Sequence, residues 1–330
     1  MKWFKPRAGS RSLAVLTPVP GGVVALRVQD TGEKVRVLAC ARRDNTMPPA
    51  AVSAELLNQV AAEAGIRLMP LLALLDQEAY QTMMVEAPSV PDDEIKSAIR
   101  WKVKDLLSFH IDDAVLDHLP VPGGAGRPAS LFVVAAQSSA VRALALPFHA
   151  ADLPLEVIDI RESAQHNLAL RIAPADYAIA ILHFDGENGL LTFSFGPNLV
   201  LSRRIEGRGA TGEALFDRVA MEAQRSVDYF ERQYSWFPLA KLYLAPQAES
   251  KGMLRRLSEY LPVSVDVYDL NQVFDFSDSD VAANQWQAVE VQNSMFHLLG
   301  ASLRRSASLV EKAVGKAVEK TVGKAAGTAG

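Results

Sequence analysis

The chain has 330 residues, 49% of them hydrophobic and 22% charged, a balance that excludes wholesale disorder and supplies apolar side chains for about two domains. A formal net charge of −4 leaves no basic excess to hold a phosphate backbone, so nucleic acid is not an expected partner. Cys40 is the only cysteine, which excludes an intramolecular disulfide and a cysteine-cluster zinc site and suits a reducing compartment; following Val35–Leu38 it reads as a small core residue.

Lys2, Lys5, Arg7 and Arg11 precede the apolar stretch Leu13–Leu26 and imitate a secretory signal. Pro18, Pro20, Gly21 and Gly22 interrupt that stretch, however, and suit a hairpin turn better than a helical segment. Residues 12–40 therefore read as strands joined at Pro20-Gly21-Gly22 and Asp30-Thr31-Gly32. A helix over 50–64 carries Val52, Leu56, Leu57 and Val60 on one stripe, and a strand follows at 71–75. Next comes a compact unit of strand 80–85, helix 90–107, strand 114–121, a Gly123-Gly124 turn and strand 131–136. A helix capped near Ser138 or Ser139, a strand at 155–160 and a helix at 162–172 close a first lobe. The second lobe opens with strands 177–184, 190–195 and 199–205, and continues through a long helix at 212–234, strand 241–244 and helix 251–261. No run approaches the ~18 apolar residues of a membrane span. Residues 306–330 hold an eight-residue near-repeat, Glu311–Val318 and Glu319–Ala326, whose recurring lysines and valines read as a solvated tail able to touch lipid or a partner.

Three stretches carry a family resemblance: Val85-Glu86-Ala87-Pro88-Ser89-Val90-Pro91-Asp92-Asp93-Glu94-Ile95, Ala98-Ile99-Arg100-Trp101-Lys102-Val103-Lys104-Asp105-Leu106-Leu107, and Val115-Leu116-Asp117-His118. They resemble the MshI proteins of mannose-sensitive haemagglutinin (MSHA) pilus biogenesis and, more distantly, the PilM-like family of type IV pilus assembly; Ala223–Phe230 resembles the second-lobe helix of the same group. The resemblance implies an actin-like, ribonuclease H-related α/β fold of two lobes with a small inserted α+β subdomain, as in PilM and FtsA. The expected limits are 1–76 and 137–175 for the first lobe, 77–136 for the insert, 176–305 for the second lobe and 306–330 for the tail. It further implies a cytoplasmic scaffold, peripheral to the inner membrane, docked on the short cytoplasmic end of a PilN-like membrane protein alongside other platform proteins. Contact with the membrane itself is then indirect or made by the tail.

An actin-like cleft normally holds ATP and Mg²⁺ through glycine-freed backbone amides and acidic residues on two hairpins. Here Thr17-Pro18-Val19 stands where PilM-like chains resemble Asp-x-Gly, Val24 stands where they often carry lysine, and the prolines delete amide donors. If a nucleotide binds at all, Gly21, Gly22, Asp185 and Gly186 are the residues placed to meet it, with Asp185 and Glu187 as metal candidates. Each also has a plain reading as turn chemistry, and Leu244-Ala245-Pro246-Gln247-Ala248 replaces the Gly-Gly that PilM-like chains pass under the adenine. No bound cofactor, no metal and no enzymatic activity are therefore expected. The six histidines lack ligand spacing, and Asp92-Asp93 and Asp112-Asp113 fall at a helix start and a turn, where acids suit exposed N–H groups.

Partner binding is expected on the insert. At ~100° per residue, Ile95, Ala98, Ile99, Val103 and Leu106 share one face of its helix, and Trp101 points nearly opposite, flanked by Arg100, Lys104 and Asp105. An aromatic beside an arginine is the usual centre of an interface; Trp101 packed between insert and first lobe is the plain alternative. Both readings put it at a lobe boundary, where the PilN peptide is held in PilM. The alternatives to a scaffold are an ATP-binding actin-like switch and the cytoplasmic part of a GspL-like type II secretion protein.

Overall fold

The computed structural model describes residues 12–45, 51–91, 93–124, 126–279 and 283–304. The tail repeat and the basic N-terminus lie outside these residues. The first sheet begins as a meander of β1 (Ser12–Val19), β2 (Gly22–Asp30) and β3 (Val35–Asp44), with β4 (Leu71–Leu74) added parallel to β1. Six of the nine residues of β2 are buried, and the two-residue period of a strand divides its side chains between two cores. Val23 and Ala25 join Ala14 and Leu16 against Leu57, Val60 and Ala61 of α1 (Ala54–Glu63) and Phe148 of α3 (Ser138–Ala150). Val24, Leu26 and Val28 face the other way, toward Leu168 of α4 (Arg161–Ile172) and Phe296 and Leu299 of α8 (Val289–Ser302).

The inserted unit is a three-stranded antiparallel sheet, β5 (Tyr80–Glu86), β7 (Ser130–Gln137) and β6 (Ala114–Val121) in that order, with α2 (Ile95–Val103) on one face. Ile99 and Val103 pack there on Leu131 and Val133. The opposite face, with Phe132, Val121 and Met84, joins the core of the second lobe. Arg127 fixes that contact by donating to the carbonyl of Gln233 at 2.9 Å and lying over the Trp236 ring, against which Gly124 leaves no room for a Cβ. The insert thus leans on the second lobe, and α2 lies on its outer side.

The first sheet continues through β8 (Leu155–Asp159), parallel to β4. The second sheet comprises β9 (Ala178–Phe184), β10 (Asn188–Phe195), β11 (Asn198–Glu206), β12 (Leu239–Leu244) and β13 (Ser264–Val267), in the order β11-β10-β9-β12-β13. Every residue of β9 is buried, Ala178, Ala180, Leu182 and Phe184 beneath α5 (Gly212–Gln233) and α6 (Ser250–Tyr260), Ile179 and Ile181 against the layer of α4 and α8. Five layers result: α1 and α3, first sheet, α4 and α8, second sheet, α5 and α6.

Residues 274–304 depart from the expected plan, in which 176–305 formed the second lobe. β14 (Phe274–Asp275) pairs in parallel with β3 of the first sheet, and after the short α7 (Ala283–Trp286) the helix α8 packs on α4 and the first-lobe strands. Every residue of α8 from Met295 to Ser302 is buried, so no polar face marks which lobe it serves. α2 is also shorter than expected: it stops at Val103, which leaves Leu106 59% exposed instead of on the apolar face.

Candidate functional site

Two regions collect polar side chains from distant parts of the chain: the seam between the lobes and the outer surface of the insert. In the seam, the hydroxyl of Thr17 is buried; it donates to the carbonyl of Leu74 at 3.1 Å and accepts the Leu74 amide at 3.0 Å. Paired main-chain register between β1 and β4 covers only Ala14 and Val15, and Thr17 ties the two strands beyond it. Gly21 turns the hairpin with φ +78°, and Gly22 lies so close to the backbone of Arg43 that a Cβ would overlap its carbonyl oxygen. Asp185 accepts the amides of Glu187 at 3.1 Å and Asn188 at 2.8 Å, and Gly186 follows with φ +102°. Gly21, Gly22, Asp185 and Gly186 therefore each have a structural job in a turn.

The strand ends beyond these hairpins are clipped together by α8. The Asn293 amide nitrogen donates to Pro246 O at 2.8 Å and Phe184 O at 3.2 Å, while its own carbonyl accepts His183 Nε2 at 3.1 Å. Deeper in, Gln165 Nε2 reaches Ile181 O at 2.6 Å, Leu190 O at 3.1 Å and Thr192 Oγ1 at 3.0 Å, and Gln165 Oε1 accepts His297 Nε2 at 2.9 Å. Burial holds His183 neutral down to about pH 4, and burial together with the neighbouring His183 pushes the titration of His297 well below the usual histidine range. His166, at about 4 for the same reason of burial, donates from Nε2 to Pro197 O, so its Nδ1 accepts the Ser194 hydroxyl at 2.8 Å. The scattered histidines of the seam are thus core hydrogen-bonding groups, and among the described residues no group of three or more His, Cys, Asp or Glu side chains is arranged to hold a metal.

Where insert and lobes meet, the Tyr80 hydroxyl donates to Glu162 Oε2 at 2.5 Å, and Arg204 of β11 donates to Tyr80 O at 3.1 Å while lying over its ring. Burial raises the Glu162 carboxyl and, with the adjacent carboxylate, the Tyr80 phenol.

On the insert, Trp101 is 74% exposed, with Lys104 Nζ 5.3 Å from its ring centroid. It points away from the apolar face, as helical spacing predicts, and it is free of the lobe boundary where both sequence readings had put it. Asp105 is exposed beside it. Arg100 is engaged elsewhere, donating to Ile111 O at 2.7 Å and Ala114 O at 3.3 Å, and so braces the loop into β6. Sequence reasoning missed Glu162, Gln165 and Asn293, named Thr17 only as a departure from the nucleotide motif, and gave the seam histidines no specific partners. Their one sequence signal is a polar residue inside an otherwise apolar run, such as His183 in Ala178–Phe184 and His297 in Met295–Leu299.

No protein-family model matches the chain, and no curated protein does. Among solved structures, it is similar to a chain of a PilM-PilN type IV pilus biogenesis complex, with a TM-score of 0.68 and 19% identity over 91% of this chain and 99% of that one. Looser matches are the cytoplasmic domain of EpsL, an inner-membrane component of the type II secretion system of Vibrio cholerae (TM-score 0.48, 13% identity, 89% and 96% covered), and a Bacteroides thetaiotaomicron protein with an actin-like ATPase fold (0.47, 9%, 81% and 93%). The chain has an actin-like α/β fold. Its likeness to the PilM-PilN chain runs through both lobes and the inserted sheet. Among the described residues, no helix is long and apolar enough to cross a membrane.

Proposed function

We propose that this chain is a non-catalytic adaptor of a type IV pilus assembly platform of the MSHA kind, working on the cytoplasmic face of the inner membrane. Its first lobe and insert hold the cytoplasmic N-terminal segment of a PilN-like membrane protein. The fold likeness to the PilM-PilN chain and the motif resemblance of residues 85–118 support the pilus setting. The observation that carries the adaptor reading is the allocation of polar groups. In the seam, Thr17, Gln165, Asp185, Asn293, His183 and His297 are bonded to the protein itself. On the insert, Trp101, Lys104 and Asp105 stay in solvent.

Fluorescence anisotropy with a labelled synthetic peptide of the PilN-like segment tests the reading. Trp101→Ala combined with Lys104→Ala is expected to weaken binding by about tenfold or more, the loss of one interface anchor. Unchanged binding in the double variant dismisses the Trp101 site, and no binding to the unaltered chain dismisses the partner. The ATP-switch alternative predicts that millimolar Mg-ATP raises the melting temperature and that Asp185→Ala abolishes the rise. We expect no rise.

A further inference from the structure

The two edges of the inserted sheet are finished differently. Ala87 N donates to Ala129 O at 2.9 Å, which fixes the register beyond Val85↔Leu131: odd-numbered residues of β5 turn their N–H and C=O toward β7, and even-numbered ones turn theirs outward. Both end carbonyls on that outward row are covered, Tyr80 O by Arg204 at 3.1 Å and Glu86 O by Lys102 at 2.9 Å. Between them Thr82 and Met84 present two N–H and two C=O groups, and none of the four has a hydrogen-bond partner among the described residues. Both residues are only half-buried.

The same parity on β6 turns Ala114, Leu116, His118 and Pro120 outward. Arg100 occupies Ala114 O, the Asp117 carboxylate occupies the His118 amide at 3.0 Å, and Pro120 has no amide to offer. Charged side chains and a proline are the usual means of keeping a sheet edge from pairing. β6 carries them on both sides of its one open residue, Leu116, whereas β5 carries cations only at its two ends and leaves two consecutive outward residues open at its centre.

We propose that β5 is a strand-addition site: an extended segment of a second protein pairs with Thr82 and Met84 and becomes the fourth strand of the inserted sheet. This rests on the adaptor reading and narrows it: the insert holds the PilN-like segment along its β5 edge, beside β11 of the second lobe in place of the first lobe. The surroundings set its chemistry. On the α2 side, an added strand meets Leu106, 59% exposed, and the half-buried Leu107, next to Ser108, which is bonded to Gln81. On the second-lobe side it meets Ser202 and the Arg204 guanidinium, within reach of Thr82 and Tyr80. The occupant is therefore an extended peptide with apolar residues on one face and polar or acidic residues on the other, the acid answering Arg204.

Proline at an outward position removes one edge amide without removing a bond to β7. Thr82→Pro and Met84→Pro in the full chain are expected to weaken the labelled segment by at least about tenfold, whereas Thr82→Val and Met84→Leu bind within about twofold of the unaltered chain. Should either proline variant melt early, the same test runs from the other side: the unaltered chain with a segment N-methylated at alternate residues is expected to show the same loss. Amide exchange of Thr82 and Met84 slows when the segment is added, and that of Leu116 on the other edge does not. Full binding by both proline variants and the N-methylated segment, or protection at Leu116 instead, overturns strand addition and leaves the adaptor reading in place. No binding of the segment to the unaltered chain overturns both.

Discussion

The seam between the lobes and the insert use the same kinds of side chain to opposite ends. In the seam, the Gln165 and Asn293 side-chain amides close on backbone carbonyls at neighbouring strands and two imidazoles close on Asn293 O and Gln165 Oε1, so desolvating them costs little net free energy and locks α4, α8, β9 and β12 together. On the insert, a tryptophan, a lysine and a strand edge remain facing water although each has the capacity to bind. Stability is concentrated in the first region, and the proposed adaptor reading puts recognition in the second, so substitutions ought to separate the two properties.

The largest expected effect is a test of the seam as a whole. Above about pH 6.5 its three buried imidazoles are neutral in both folded and unfolded chains and their stabilisation is complete. As the pH falls below that value the unfolded chain takes up protons that folded His166, His183 and His297 refuse until about 4 or lower. Glu162, whose carboxyl is raised by burial, has the opposite sign and offsets at most one of the three protons. Thermal unfolding at pH 5 should therefore show the chain less stable than at pH 7 by on the order of 5 kcal/mol. A flat profile from pH 7 to 5 would remove the histidines from the account of the seam.

The next effect is steric. Gly300 of α8 lies on the carbonyl of Ala164 in α4, with no space for a Cβ, so Gly300→Leu must push the two helices apart. Loss of roughly 3 kcal/mol in denaturant unfolding is expected. Gln165→Ala should cost about 2 kcal/mol, because it strands His297 and Thr192 in a dry core; binding of the partner peptide should be unaffected. The smallest effect belongs to the insert. Trp101→Ala is expected to change stability by less than about 0.5 kcal/mol. A larger loss would mean that the ring is packed, and the contrast between the two regions would fail there.

The contrast also explains what could be read in advance. Most strands and helices as far as residue 260 follow alternating or 3.6-residue apolar patterns with a wet face and a dry one, and β4 and β9, buried throughout, show as short apolar runs. The outward direction of Trp101 followed from the same arithmetic. β14 is two residues long and carries no pattern, and α8 is dry on every side from Met295 to Ser302, so neither announced that it returns to the first lobe. The lean of the insert on the second lobe was equally hidden, since it depends on Arg127, Gly124 and Trp236 meeting across more than a hundred residues. The open centre of β5 needed the strand order, which places β7 in the middle, before residue parity had any meaning.

The helix from Val289 to Ser302 has a consequence for how the molecule is made. One apolar cluster runs from Val15 to Ala301 and includes both sheets, so its last contributions come from nearly the final described residues. While this helix is still unsynthesised, α4 alone lies between the two sheets and the apolar side chains that α8 covers face water. Such long-range closure is slow, and the nascent chain is at risk of aggregation until this helix emerges. A chain interrupted before Val289 would therefore keep exposed the apolar side chains that this helix covers in the folded protein.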